Sequence, residues 1–267
     1  RTTLRGEGRA TIILGGKVAG PSAFGTRERN LADVTIENLV LEGAFTYGTE
    51  PENTARFRRT GKFANQRSGV ILAGGAEGAF RRITLRDLTV NDFSRNGVLL
   101  SGIDGLTVER CDFSDNGSHV VPGPRLQHNL KLVRVRDVTV RDSRLDTSLK
   151  GAGLHLAHAR GVRVLSCEVA RNGWFGILAE ECADLTISGC LLEGNDAAAI
   201  HLAYQSQGSD QVSITGNTMQ YNNGYALESY RTTRLHQADN RHVLNTLRPA
   251  QELISADPVL LLEEGLK

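Results

Sequence analysis

No stretch of this 267-residue chain holds the run of about 18 apolar residues that a membrane-spanning helix needs, so we expect no membrane span. Charge of one sign is not in excess either. The formal net charge is +1, which indicates no general attraction to nucleic acid or to a membrane surface. The chain starts at Arg1 without a methionine or a leader peptide, so we expect it to be part of a longer chain.

Cysteine is scarce, and its spacing excludes two further classes of protein. None of the cysteines lies in a CxxC motif or at the cysteine–histidine spacing of a metal site. The same spacing gives no disulfide framework. We therefore predict free thiols, no bound metal and no other cofactor. The four residues are Cys111, Cys167, Cys182 and Cys190.

A sequence motif of about a dozen residues occurs seven times, for example as ADVTIENLVLEG at residue 32 and RRITLRDLTVND at residue 81. The steps between equivalent positions are 49, 23, 32, 24, 23 and 27 residues, which gives a base period near 23 with insertions. A period of this length is typical of a solenoid. The equivalent positions are Thr35, Thr84, Thr107, Thr139, Arg163, Thr186 and Ser213.

Each copy is followed by a second, short apolar motif, such as NGVLLSG or GAGLHLA, often after a turn that contains asparagine or glycine. These segments alternate or are β-branched, and none keeps the period of a helix. Short strands separated by regular turn signals fit a triangular coil, in which each strand pairs in parallel with its counterpart one coil away. The repeats therefore predict an all-β solenoid.

This pattern resembles the right-handed parallel β-helix of the pectate lyase-like superfamily, and the opening TTLRGEGRATIIL is similar to the first coil of that superfamily. The resemblance covers roughly residues 3–232. It implies a single-stranded right-handed parallel β-helix of about seven or more coils. We expect one β-helix domain over residues 1–267, in which residues 233–267 form a C-terminal extension or cap. The resemblance also implies a secreted, periplasmic or cell-surface location.

An interior ladder follows from the same alignment, because one residue of each repeat lies four positions after the equivalent threonine. Three of the cysteines occupy this ladder, so we interpret them as small buried hydrophobes rather than as nucleophiles. The fourth, Cys182, falls in a turn and shows no evident partner. The ladder consists of Leu39, Leu88, Cys111, Ser143, Cys167, Cys190 and Asn217.

An alignment of the seven copies of the second motif places titratable residues side by side. Adjacent parallel strands are about 4.8 Å apart, so Lys131 and His155 become neighbours, and Glu180 lies diagonal to both His155 and His201. For each residue taken singly, a solvated side chain is the alternative. The first outward column reads Ile71, Leu99, Lys131, His155, Leu178, His201 and Glu228, and the second reads Ala73, Ser101, Val133, Ala157, Glu180, Ala203 and Tyr230.

Two insertions precede the outward strand of their coils, at residues 44–67 and 118–127. Long loops at one edge of a rigid scaffold commonly build the walls of a binding groove. The second insertion would bring Arg125 and His128 beside Lys131. The sequence therefore predicts a groove over the outward columns.

Two aromatic residues are candidates for the edges of this groove. Tyr204 would approach it from the side opposite the insertions. Trp174 lies in the coil between the two histidines, where it is either a platform for a sugar ring or part of the packing of a turn.

In the superfamily that the chain resembles, this face binds uronate-rich or other polysaccharides. Removal of the proton α to a uronate carboxyl needs a base and a cation, and His155 with Lys131 and Arg125 would supply these, with Tyr230 or Tyr204 as the acid. We therefore expect a lyase or a C5-epimerase of a uronate-containing glycan. The catalytic candidates are Lys131, His155, His201, Glu180 and Tyr230, and the substrate-binding candidates are Arg125, His128, Trp174, Tyr204 and Glu228.

Two other functions stay open. A glycoside hydrolase would use Glu180 and Glu228, which two coils separate by about 10 Å, slightly beyond the range for inversion. A non-catalytic glycan-binding β-helix of the tailspike or adhesin type would need no reacting groups. In each case the expected partner is a polysaccharide or an oligosaccharide and not nucleic acid, and the oligomeric state does not follow from the residues.

Overall fold

The structure is a computed structural model that describes residues 2–8, 12–14, 22–25, 30–43, 68–74, 78–117, 127–203, 206–246 and 250–252. Within these residues the chain forms 24 β-strands and no α-helix. In chain order they are β1 (Thr2–Arg5), β2 (Ile12–Leu14), β3 (Ser22–Gly25), β4 (Leu31–Glu42), β5 (Ser68–Ala73), β6 (Phe80–Asn91), β7 (Val98–Ser101), β8 (Ile103–Glu109), β9 (Asp112–Ser114), β10 (Leu130–Val133), β11 (Arg136–Arg141), β12 (Leu154–Ala157), β13 (Arg160–Leu165), β14 (Glu168–Ala170), β15 (Ile177–Glu180), β16 (Ala183–Ser188), β17 (Leu191–Glu193), β18 (Ile200–Ala203), β19 (Asp210–Thr215), β20 (Thr218–Gln220), β21 (Leu227–Ser229), β22 (Thr233–Ala238), β23 (Arg241–Val243) and β24 (Ala250–Glu252).

The strands form three parallel sheets, one on each side of the coil. Sheet 1 has the order β1-β4-β6-β8-β11-β13-β16-β19-β22, with β2 on β4 and β9 on β6. Sheet 2 has the order β24-β21-β18-β15-β12-β10-β7-β5-β3, and sheet 3 the order β14-β17-β20-β23. Single bridges from Arg144 to Asp112 and to Glu168 join β9 to β14. The prediction of an all-β parallel solenoid with three-sided coils is therefore confirmed.

Residues in a left-handed backbone conformation turn the chain at its corners. In the coil of β12, β13 and β14, the corner residues His158, Ser166 and Arg171 have φ values of 51°, 52° and 50°. This conformation costs free energy for any residue that carries a Cβ atom. Hydrogen bonds between coils offset that cost, since His158 N–H donates to Glu180 O at 2.9 Å and Ser166 N–H donates to Ser188 O at 3.0 Å.

Apolar side chains fill the interior of the coils. Phe80, Phe93 and Phe113 are among the largest fully buried residues. All four cysteines are free, as predicted, and Cys182 is buried like the three cysteines of the interior ladder. Cys182 does lie at a corner, between β15 and β16. It nevertheless has a partner that the sequence did not reveal, because its backbone N–H donates to Ser209 Oγ at 3.0 Å.

A ladder of buried asparagines lines one interior corner, and the sequence analysis missed it. The side-chain amide of Asn172 donates to Asn195 Oδ1 at 2.9 Å, and that of Asn195 donates to Asn222 Oδ1 at 2.8 Å. In the coil before that of Asn172, Ser148 occupies the position equivalent to the asparagine. In place of an asparagine at that position, the side-chain amide of Asn129 donates to Asn172 Oδ1 at 3.1 Å and continues the ladder. The ladder satisfies polar groups that would otherwise be buried without partners.

The ladders of strands continue beyond residue 232, where the sequence analysis ended the repeats. In this region β22 pairs with β19, β23 with β20 and β24 with β21, all in parallel. The described residues thus carry the coil as far as Glu252. Within the described part of the chain, no helix has the length and apolar character needed to cross a bilayer.

Candidate functional site

The outward residues of sheet 2 lie level with one another, as predicted. Lys131 pairs with Leu99 on one side and with His155 on the other, and the same register continues along the sheet. Successive residues of a strand point to opposite faces, so the neighbouring leucines and isoleucines fill the interior while this set faces outward. We call the set the outer row: Ile71, Leu99, Lys131, His155, Leu178, His201 and Glu228.

His155 and Glu180 form a hydrogen-bonded pair between adjacent coils. Nε2 of His155 lies 2.7 Å from Oε2 of Glu180. An ionised carboxylate only accepts hydrogen bonds, so Nε2 carries the proton of the neutral ring and Nδ1 is unprotonated. Nδ1 is buried and has no hydrogen-bond partner. Glu180 therefore orients an imidazole whose second nitrogen is a vacant acceptor.

The predicted exposure of His155 is wrong. Its side chain is only 6% exposed, whereas the sequence analysis placed it at the surface of a groove. The ring of His128 packs against it, with 4.6 Å between the ring centroids. Strand alternation correctly predicts that His155 points outward, but it does not reveal which side chains of neighbouring coils cover an outward residue.

His128 is wholly buried, and its contact with substrate stays a prediction. Its Nδ1 accepts a hydrogen bond from the backbone N–H of Ala152 at 3.0 Å. The proton of the neutral ring consequently sits on Nε2, which is buried and has no hydrogen-bond partner. Burial, assisted by His155 and by the positive charge of Lys131, holds the pKa of His128 well below its ordinary value. His128 is thus an uncharged ring that packs against His155 and covers it.

Lys131 adjoins His155 in the outer row. Partial burial lowers the pKa of Lys131, and the negative charge of Glu180 opposes this effect. Burial also lowers the pKa of His155, against the opposing effect of its hydrogen bond to Glu180. A lowered pKa makes neutral imidazole the favoured form at neutral pH. The structure therefore brings together a lysine, a neutral histidine and a carboxylate.

His201 forms a second pair, with Glu228. Nδ1 of His201 lies 2.5 Å from Oε2 of Glu228. Phe175 stacks on the His201 ring at a centroid distance of 4.2 Å, and the ring of Tyr230 lies 5.3 Å away. The ring of Trp174 is 4.5 Å from that of Phe175, so an aromatic cluster surrounds this histidine. The His201 side chain is 13% exposed.

The two histidines occupy copies of one hexapeptide, which the sequence analysis missed. The hexapeptide AGLHLA spans residues 152–157, and AAIHLA spans residues 198–203, two coils further along. The small alanines leave room for a larger ring from the preceding coil. That ring is His128 in the first copy and Phe175 in the second. A comparison of the chain with itself at a two-coil offset would have revealed this duplication and the role of Phe175.

The remaining predicted site residues are distributed as follows. Tyr230 is buried after β21, and burial together with the charge of Glu228 raises the pKa of its phenol to about 12. Tyr230 therefore adjoins His201 and not His155. Arg125 and Tyr204 lie outside the described residues. Among the residues that the structure does describe, no group of three or more histidine, cysteine, aspartate and glutamate side chains is placed to hold a metal ion.

A cleft of about 680 Å³ lies elsewhere, at the corner between sheet 1 and the third side of the coil. Its charged side chains pair with one another: Arg110 binds Asp87 at 2.8 Å, and Arg144 lies 3.6 Å from Asp112. None of its lining residues belongs to the outer row.

The chain belongs to the right-handed β-helix family, since the family model described as "Right handed beta helix region" matches residues 30–242. No curated protein matches its sequence. Solved structures share the fold. PfbA, a surface adhesin of Streptococcus pneumoniae, is 8% identical with a TM-score of 0.54, over 96% of this chain and 84% of the adhesin.

Two further solved structures are similar to the chain. ORF18 of Geobacillus virus E2 is 15% identical with a TM-score of 0.52, over 92% of this chain, which spans half of the viral protein. The A-module of the mannuronan C-5 epimerase AlgE6 of Azotobacter vinelandii is 15% identical with a TM-score of 0.44, over 94% of this chain and 84% of the module. At these identities the likeness to the adhesin and to the viral protein establishes the fold alone.

Proposed function

We propose that this protein acts on a uronate-containing polysaccharide as a lyase or a C5-epimerase, with His155 as the base. The observation that carries the proposal is the buried Nδ1 of His155, which has no hydrogen-bond partner and belongs to a ring that Glu180 holds through Nε2, beside Lys131. A general base must be unprotonated, oriented and close to a group that stabilises the developing charge, and this arrangement meets all three conditions.

The reaction would begin at the carbon next to the uronate carboxyl. Nδ1 of His155 removes its proton, and the ammonium of Lys131 stabilises the charge that develops on the carboxylate oxygens. Loss of the oxygen substituent at C4, with a proton from an acid, then gives an unsaturated sugar. Return of a proton to the opposite face gives the C5 epimer instead. Tyr230 adjoins His201, so we assign it no role in proton transfer at His155.

The burial of His155 bears on how a substrate would reach it. Its ring lies against His128, so productive binding has to displace the side chains around Nδ1. Non-catalytic glycan binding is the second candidate function, and the low exposure of both histidines is the observation that favours it.

A glycoside hydrolase is less well supported. Its general acid is a carboxylic acid that keeps its proton at neutral pH. Glu180 and Glu228 lie two coils apart along the sheet, so about 10 Å separates them, slightly beyond the range of the two carboxyl groups of an inverting enzyme.

A periplasmic or extracellular location is part of this proposal. Polysaccharides of the cell envelope and matrix are found there, and PfbA, which shares the fold, is a surface adhesin.

The proposal is tested by incubating the protein with a panel of acidic and neutral polysaccharides. Absorbance of unsaturated uronate detects a lyase, and incorporation of deuterium from D₂O at C5 detects an epimerase. On the best substrate, we expect His155→Gln to lower kcat by at least about 100-fold, the usual size of a general-base contribution. Lys131→Met should lower kcat/KM comparably, because charge neutralisation is lost.

The duplicated histidine provides the matched control. His201 also pairs with a glutamate, but Leu178 stands beside it where Lys131 stands beside His155. His201→Gln should therefore leave kcat within about tenfold of the wild type. Equal losses in His155→Gln and His201→Gln would contradict the assignment of the base. Turnover that depends on Glu180 and Glu228 alone would indicate a hydrolase, and binding without turnover would indicate the second candidate.

A further inference from the structure

One column of side chains at the edge of the outer row alternates between rings and alanines. The column takes the residue two positions before each outer strand from β10 to β21: His128, Ala152, Phe175, Ala198 and Tyr225. Both alanines are wholly buried. The ring of His128 packs on His155 of the next coil, and that of Phe175 packs on His201 in the same way. A ring therefore recurs every second coil, a spacing of about 9.6 Å.

The partly exposed rings at this edge keep the two-coil spacing. Trp174, in the coil of β15, lies on Phe175 with 4.5 Å between the ring centroids, and Tyr225 lies in the coil of β21. The coil between them has alanine at both equivalent positions, so the two rings flank small side chains. Trp174 and Tyr225 pack against a cluster that includes Leu178 of the outer row, so this edge is continuous with the candidate site.

Two exposed polar side chains border the same edge. Asp196 and Asn223 each follow a ladder asparagine, and the Asn223 amide donates to Asp196 Oδ1 at 3.5 Å. They supply a carboxylate acceptor and an amide donor near the rings. An apolar surface with a few polar groups suits a sugar, because its C–H face packs on a ring while its hydroxyls form hydrogen bonds.

The ring spacing restricts which glycans contact both rings. One sugar of an extended chain advances by a length comparable with the spacing of adjacent coils, so two sugars separated by one other face Trp174 and Tyr225. When both bonds of a 1,4 linkage are equatorial, consecutive sugars are turned over relative to each other, and alternate sugars present the same C–H face. An axial bond at C1 winds the chain into a helix, so that only one of the two sugars packs on a ring.

We propose that Trp174 and Tyr225 form a stacking platform for two alternate sugars of the glycan, and that their spacing selects extended chains with equatorial 1,4 linkages. The inference rests on the proposed function and specifies the linkage of its substrate. The platform contributes to affinity and to linkage selectivity and takes no part in proton transfer.

The test compares two pentasaccharides of glucose, one β-1,4-linked and the other α-1,4-linked, by isothermal titration calorimetry. They have the same length and composition and carry no charge, so they differ only in the configuration at C1. We expect the β-linked pentasaccharide to bind wild-type protein at least about tenfold more tightly, because it stacks on a second ring.

Two variants remove one ring each. Trp174→Leu and Tyr225→Leu should each weaken binding of the β-linked pentasaccharide about tenfold and change that of the α-linked one less than about threefold, because the α-linked chain needs only one ring. Thermal melts establish that each variant is folded. The rings lie in different coils, so either variant suffices for the test if the other unfolds.

Tyr221 provides the matched control. It is 50% exposed and lies outside the apolar cluster of Trp174 and Tyr225. Tyr221→Leu should leave both affinities within about twofold of the wild type.

The outcomes distinguish the inference from the proposed function. Equal binding of the two pentasaccharides by the wild type, or binding of neither, contradicts the inference and leaves the proposed function to its own test of turnover. Unchanged binding in both Trp174→Leu and Tyr225→Leu also contradicts it. If the platform binds as expected but no polysaccharide of the panel is turned over, the proposed function fails and the inference holds for the second candidate, non-catalytic glycan binding.

Discussion

Two buried imidazoles define the chemistry of this face at the scale of single residues. Nε2 of His128 is a hydrogen-bond donor without a partner, and Nδ1 of His155 is an acceptor without a partner. The rings are in contact, yet each is fixed by another bond, to Ala152 N–H and to Glu180 respectively. A buried donor and a buried acceptor without hydrogen-bond partners each cost free energy, so this arrangement lowers the free energy of unfolding.

Stability should therefore decline in mild acid. The pKa values of His128 and His155 are lowered by burial from 6.5, so between that value and their folded pKa values the unfolded chain binds more protons than the folded chain. The contribution of these residues is complete above pH 6.5 and is lost as the pH falls, by up to about 1.4 kcal/mol per pH unit for each histidine. Denaturant unfolding of the wild type between about pH 7 and pH 5 measures the slope.

The variant His128→Phe isolates one of the two contributions. Phenylalanine is the residue found at the equivalent position two coils away, as Phe175. The substitution should reduce the pH slope, whatever its effect on stability at neutral pH. His236→Phe, at an exposed position of β22, should leave the slope unchanged. A flat profile in the wild-type protein would contradict the buried neutral state.

The thiols give a second prediction at this scale. Burial raises the pKa of Cys111 and of Cys182 to about 12, and all four cysteines are free and buried. Since the thiolate is the reactive form, the native protein should not react with an aromatic disulfide reagent. The denatured, non-reduced protein should react at four positions. Two reactive thiols after denaturation would indicate a disulfide and refute the assignment.

The asparagine ladder is the main polar feature at the scale of elements. Asn195 accepts from Asn172, and its amide donates to Val169 O at 3.2 Å as well as to Asn222. Asn195→Ala would leave several of these buried groups without partners, and each such group costs about 1–3 kcal/mol. We expect the free energy of unfolding to fall by at least about 2 kcal/mol.

Asn223 provides the matched control for this substitution. It lies one residue after the ladder position of the next coil and is exposed. Asn223→Ala should change the free energy of unfolding by less than about 0.5 kcal/mol. Equilibrium denaturation of both variants measures the difference. Equal effects would show that the ladder makes no special contribution.

The elements also show what sequence reasoning reaches. Strand alternation has a period of two residues, so it predicted which residue of each outer strand faces outward, and the repeat period predicted that these residues share one level. Both predictions hold from Ile71 to Glu228. Which side chains contact one another could not be predicted in this way, because these contacts depend on rotamers and on side chains from adjacent coils. The pairing of His201 with Glu228 and the stacking of Phe175 could not be derived from alternation.

At the scale of the whole molecule, the fold is a stack in which each coil contacts its two neighbours. A neighbour-to-neighbour stack follows from local repeats, so the architecture could be predicted from the sequence. The end of the stack could not. In β22 the threonine, the arginine, the histidine and the glutamine weaken the alternation that marks the earlier copies, yet the strand still pairs with β19 over five residue pairs. Backbone hydrogen bonding continues the coil where the side-chain pattern fades.

The duplication of AGLHLA as AAIHLA has a consequence for how the length of this protein can change. Removal of the coil that contains β12 would set Lys131 against Leu178 and Glu180, and the histidine neighbour would be lost. Removal of two coils, those of β12 and β15, would instead set Lys131 beside His201 and restore the order of lysine, histidine and glutamate. The copies lie 46 residues apart, so shortening and lengthening of the chain preserve this face only in steps of that size. The arrangement of the site is therefore preserved by the gain or loss of a pair of coils, whereas the fold itself repeats with each single coil.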